Sequence, residues 1–60
     1  MIQAGDLVKI NEGVYVGKLA LVILKPYDSV ARLKILDPTA PNEHWVNGYV
    51  AYNIDSLEKL

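Results

Sequence analysis

Lys18-Leu19-Ala20-Leu21-Val22-Ile23-Leu24-Lys25, then Pro26-Tyr27-Asp28-Ser29, then Val30-Ala31-Arg32-Leu33-Lys34-Ile35-Leu36 carries the fold assignment. Two runs rich in Val, Ile and Leu flank four turn formers, the pattern of two strands joined as a hairpin. Pro26 is expected at the second turn position, where its fixed φ is already suitable. In the second run Arg32 and Lys34 alternate with Ala31, Leu33 and Ile35, so the two cations point together, to solvent. In the first run Ala20, Val22 and Leu24 share one face and Leu19, Leu21 and Ile23 the other. Both faces are apolar. Either a long bent strand serves the core from both sides, or one face is an exposed apolar patch.

Working outward, turn formers cut the rest of the chain into short pieces: Gly5-Asp6, Asn11-Glu12-Gly13, Gly17, Asp37-Pro38, Pro41-Asn42 and Asn47-Gly48. Strands are expected at residues 7–10, 18–25, 30–36, within 44–50, and at 57–60. Asn47-Gly48 reads either as a two-residue hairpin turn or as a bulge. Residues 52–56 read as one helical turn, with Asn53 as cap candidate. No segment holds a 3.6-residue apolar period, so a helical domain is not expected. Five short strands can close a small, strongly bent barrel that hides its edges. Its core is expected from Val8, Ile10, Val22, Leu33, Ile35, Val50, Ile54 and Leu57.

The 60 residues make one domain, 1–60, near the lower size limit for independent folding. There is no cysteine and one histidine, so neither a disulfide nor a zinc site is expected. The chain is 52% hydrophobic with mean hydropathy +0.15, too apolar for a disordered segment. Net charge is −1, which argues against a dedicated duplex binder. Met1 runs straight into Gln3, Gly5 and Asp6, so no leader is expected. The apolar run 19–24 is far too short to span a bilayer, and a cytoplasmic location is expected.

The segment from Gly5-Asp6-Leu7-Val8-Lys9-Ile10 to Leu36 resembles the KOW motif of SH3-like barrels. That motif has a Gly-Asp-x-Val opening, then glycines spaced ahead of a long strand. Here the second part reads Gly13-Val14-Tyr15-Val16-Gly17-Lys18-Leu19-Ala20-Leu21-Val22. Ala20 stands where the pattern prefers glycine. Gly13 and Gly17 suit positive φ or tight turns. The resemblance implies an all-β, five-stranded SH3-like small barrel with a short helical turn before its last strand. KOW domains occur in NusG-type elongation factors and ribosomal proteins, where they contact RNA or partner proteins. The tail, ending Ser56-Leu57-Glu58-Lys59-Leu60, is similar to a small SH3-like protein family of photosystem I and to the variable chains of ferredoxin–thioredoxin reductase, which dock proteins. The opening and the Leu-Glu-x-Leu ending are also similar to small bacteriophage proteins.

No catalytic constellation stands out. His44 is the one histidine, Ser29 and Ser56 sit at a turn and a cap, and Asp6, Asp28 and Asp37 read as turn residues. No phosphate loop is present. The chain is therefore expected to be no enzyme, with no cofactor, metal or small-molecule substrate. Two binding readings remain. Leu19, Leu21 and Ile23, with Trp45 and Tyr49, are candidates for docking a protein partner or a second copy as a homodimer. Tyr15, Lys18, Lys25, Tyr27, Arg32 and Lys34 are candidates for contacting RNA or a nucleoprotein assembly, since aromatics beside cations stack bases and hold phosphates.

Overall fold

The computed structural model describes residues 2–40, 45, 46 and 48–60, with Pro26 described in its backbone alone. His44 and Asn47, singled out above, lie outside the described residues. The chain runs β1 (Leu7–Ile10), β2 (Leu19–Tyr27), β3 (Val30–Ile35), β4 (Val50–Asn53), a 3₁₀ turn (Ile54–Ser56) and β5 (Leu57–Lys59). The five strands form one antiparallel sheet in the order β4-β3-β2-β1-β5.

Alternation along each strand makes the core. Val8 and Ile10, Ala20 and Val22, Ala31, Leu33 and Ile35, and Val50 and Leu57 all turn to one side and are buried. No second layer of helix or sheet covers that side among the described residues. The inward residues of all five strands instead pack on one another as a single cluster, and the smallest extent of the molecule is 18 Å. Seven of the eight expected core residues are buried, and Ile54 packs half-buried against them. Ala20, where the resemblance prefers glycine, is fully buried opposite Val8 and Ile35. Its small side chain fits between two strands.

Four expectations are corrected. The turn of the central hairpin is Asp28-Ser29, because Pro26 and Tyr27 belong to β2 and Tyr27 pairs with Val30. The fourth strand is Val50–Asn53 rather than a segment of 44–50. The chain reverses between Val46 and Tyr49, whose backbones exchange hydrogen bonds of 2.8 and 3.0 Å. Gly48 has φ +85°, and the arm starting at Val50 pairs with β3, while the Asn47-Gly48 reading falls on Asn47, outside the described residues. Leu24 points outward, not inward with Val22. A bulge after Val22 shifts the register, so Leu24 lies opposite the exposed Arg32. The helical turn is shorter than residues 52–56; Asn53 stands at its N-cap as expected but makes no side-chain cap bond. The Ile54 N–H donates instead to the Ser29 carbonyl, 2.8 Å away.

The segment between β1 and β2 folds back as a tied loop. The Gly17 N–H donates to the Ile10 carbonyl at 2.7 Å and the Lys18 N–H to the Tyr15 carbonyl at 3.0 Å. Gly13 and Gly17 have φ of +83° and +85°. The Ser56 hydroxyl, buried in the 3₁₀ turn, donates to the Glu12 carboxylate, and the Asn11 N–H donates to the Ser56 carbonyl at 2.8 Å. These bonds hold the loop against the end of the core, where Tyr15 enters it.

Candidate functional site

The outer face of the sheet is where the chemistry differs from a plain solvated surface. Leu7 on β1 lies directly opposite Leu21 on β2, and Leu21 opposite Lys34 on β3. One step along, Lys9 lies opposite Leu19, and the Leu36 N–H donates to the Leu19 carbonyl at 3.0 Å. Leu7, Leu19 and Leu36 are exposed at 47, 45 and 45%, and Leu21 is half-buried. Cross-strand neighbours on one face lie about 5 Å apart. These leucines therefore form one continuous apolar patch. A shallow groove of about 350 Å³ continues it, lined by Gly17, Lys18, Leu19, Leu36 and Asp37.

Of the expected docking residues, Leu19 and Leu21 belong to this patch. Ile23 sits half-buried at the bulge, off the regular register. Trp45 and Tyr49 lie elsewhere. Trp45 packs half-buried against the core, and its Nε1–H is shielded from solvent without an acceptor among the described residues. Tyr49 lines a separate groove of about 310 Å³ with Arg32, Val46, Val50 and Ala51. Leu7 and Leu36 are not among the residues expected from sequence. Leu7 shares the face of Lys9 by alternation along β1, and that signal was available.

The nucleic-acid set is partly dispersed. Tyr15 is 2% exposed and is a core residue, so it cannot stack on a base. Lys18 is bound to Asp37 at 2.6 Å, which cancels its charge locally. Lys25 is half-buried, whereas Tyr27, Arg32 and Lys34 are exposed. Among the described residues, Lys9, Lys25, Arg32 and Lys34 make no ion pair.

The acidic groups serve turns. Asp37 accepts from Lys18 Nζ, from the Thr39 hydroxyl at 2.7 Å and from the Thr39 N–H at 2.9 Å. The Lys18 hydrogen bond first, and the Thr39 bonds next, hold its carboxyl well below the usual carboxylate range. Asp6 is lowered by the Gln3 N–H at 2.9 Å and, less, by Lys59 at 3.5 Å. A carboxyl depressed by folding stabilises above its unfolded pKa of about 4, and the contribution is lost as pH falls through the lower folded value. The acid limb of unfolding should therefore be less steep in Asp37→Asn than in the wild type, followed by circular dichroism below about pH 4. An unchanged acid limb would place the linkage elsewhere.

Among the described residues, no three His, Asp or Glu side chains come together as a metal site, and no helix is long and apolar enough to cross a membrane. Compared with family models, curated proteins and solved structures, this chain matches none.

Proposed function

We propose that this chain is an SH3-like, KOW-like small barrel acting as a non-enzymatic interaction module that docks a protein through its outer leucine face. The observation that carries the docking reading is the patch of Leu7, Leu19, Leu21 and Leu36, which the sheet register assembles from β1, β2 and the end of β3 and leaves open. Apolar side chains grouped on one face cost free energy in water, and covering them is favourable by about 25 cal/mol per Å². Barrel closure is supported by the long β2 with its two register shifts, which let a strand bend sharply, and by the 3₁₀ turn that leads into β5. A cytoplasmic setting fits the same reading.

The test is photo-crosslinking in the source cell. A benzophenone amino acid replaces Leu19 in one variant and the exposed Tyr27 in another. Protein adducts are expected from position 19 and not from position 27. Absence of any protein adduct at position 19 would sink the docking reading.

A second reading rests on Arg32 and Lys34, exposed on one face beside Tyr27 and without ion pairs among the described residues. Such a stripe suits RNA or a nucleoprotein surface. Binding would then weaken steeply with salt, since each neutralised phosphate releases counterions. With Tyr15 buried and Lys18 paired, the stripe is short, and protein docking is the better supported reading.

A further inference from the structure

The β4 edge of the sheet combines a cation without a partner and an open strand, away from the leucine patch. Ala51 on β4 lies directly opposite Arg32 on β3, and Arg32 opposite Leu24 on β2, all three exposed. Along β3 the neighbours of Arg32 on the same face are Val30 and Lys34. Arg32 thus has apolar residues opposite it on both adjacent strands, and it makes no ion pair among the described residues. It lines a groove of about 310 Å³ with Val46, Tyr49, Val50 and Ala51. A lone cation therefore borders an otherwise apolar groove.

The main chain of β4 is open at the same place. The Ile54 N–H donates to the Ser29 carbonyl at 2.8 Å, in register with the β3–β4 pairs. Hydrogen-bonded pairs recur at every second residue of an antiparallel ladder. Tyr52 and Val50 therefore turn their main-chain groups to β3, and Ala51 turns its N–H and C=O away from it. On that side the described residues supply only the bridge of Val46 with Tyr49, just before β4. An unpaired N–H and C=O at a sheet edge are a template for another strand.

We infer that this edge takes an extended segment of another protein, with an acidic side chain opposite Ala51. The segment exchanges two main-chain hydrogen bonds with Ala51. Its acidic residue projects onto the outer face, across the Ala51 methyl from Arg32. Neighbouring strands lie about 5 Å apart, and the small Ala51 side chain leaves the guanidinium room to reach a carboxylate beyond it. Two positions along, on the same face, the segment meets Val46 and Tyr49, which favour an apolar side chain. A nucleic acid suits this edge less well. It has no peptide groups to complete the ladder, and it finds one cation in the groove rather than a run.

Random peptides of about eight residues, displayed on phage and selected against the whole chain, test this. Selected sequences should carry Asp or Glu with an aliphatic or aromatic residue two positions away. A synthetic peptide of the selected sequence is then titrated by fluorescence anisotropy. Arg32→Gln, at an exposed position, should weaken binding by about tenfold or more. Replacing the acid of the peptide by its amide should weaken it equally, and both changes together should lose no more than either alone. Methylating the amide nitrogen of the acidic residue should abolish binding, whereas methylating the next amide should be tolerated, since alternate amides face the edge. No acidic peptide among those selected overturns the inference. So does a selected peptide indifferent to Arg32→Gln, or equal binding of the two methylated peptides. Peptides lost with Leu19→Glu but not with Arg32→Gln overturn it while the leucine face stands. Binding of oligouridine that is lost with Arg32→Gln, with no acidic peptide selected, assigns Arg32 to RNA and overturns it too.

Discussion

Tyr15→Ala is expected to leave the chain largely unfolded at 25 °C. Tyr15 is one of the largest fully buried side chains, and it closes the end of the core from the β1–β2 loop. Removing a buried aromatic ring costs about 3–5 kcal/mol through lost burial and the cavity left behind. A single core in a chain this short supplies roughly 3–5 kcal/mol in all. The loss therefore matches the whole reserve, and far-ultraviolet circular dichroism should show collapse of the β signal. Tyr27→Ala is the control. This residue is 71% exposed beside the Asp28-Ser29 turn. Its loss should move stability by no more than about 0.5 kcal/mol. Two tyrosines that look alike in the sequence should thus differ by several kcal/mol. Equal effects would show that Tyr15 is not a core residue.

Gly13→Ala should destabilise by about 2–4 kcal/mol, the sum of a left-handed backbone penalty and a local overpacking cost. Gly13 and Gly17 have nearly the same positive φ. They differ in surroundings. A Cβ at Gly13 would stand 2.8 Å from Tyr52 Oη, whereas a Cβ at Gly17 meets nothing within 4 Å. Gly17→Ala should therefore cost only the backbone share, about 1–2 kcal/mol. Urea denaturation midpoints of the two variants read the difference. In a Tyr52→Phe background the hydroxyl is gone, and the gap between the two alanine variants should narrow. A gap that persists there would mean that the half-buried Tyr52 ring, not its hydroxyl, sets the clearance.

The elements legible in the sequence are those set by near neighbours. Strand β1 falls at Leu7–Ile10 as expected, and Arg32 and Lys34 point outward, since alternation along an extended chain needs no distant contact. Gly13 and Gly17 mark a positive-φ loop for the same reason: a missing Cβ is a local property. Leu24 departs from expectation because period-2 counting presumes an unbroken register, and the bulge after Val22 is decided where β2 meets β3. The fourth strand falls later than expected because both arms of the turn between Val46 and Tyr49 carry strand-forming residues. Pairing with Leu33 and its neighbours selects the arm starting at Val50.

The candidate site divides along the same line. Local sequence determined that β2 presents Leu19 and Leu21 on one side, that cations alternate along β3, and that Ser, Asp and Gly mark the turns. Tertiary structure alone decided that Leu7 and Leu36 join Leu19 and Leu21 in one patch. It also decided that Lys18 is tied to Asp37, that Glu58 stands opposite Lys9, and that Tyr15 lies inside. The physical reason is separation along the chain. Alternation and turn chemistry act between residues a few positions apart, so composition and spacing record them. The patch, its charge pattern and the burial of Tyr15 depend on cross-strand register between segments far apart in sequence, and that register exists only once the strands have paired around their core.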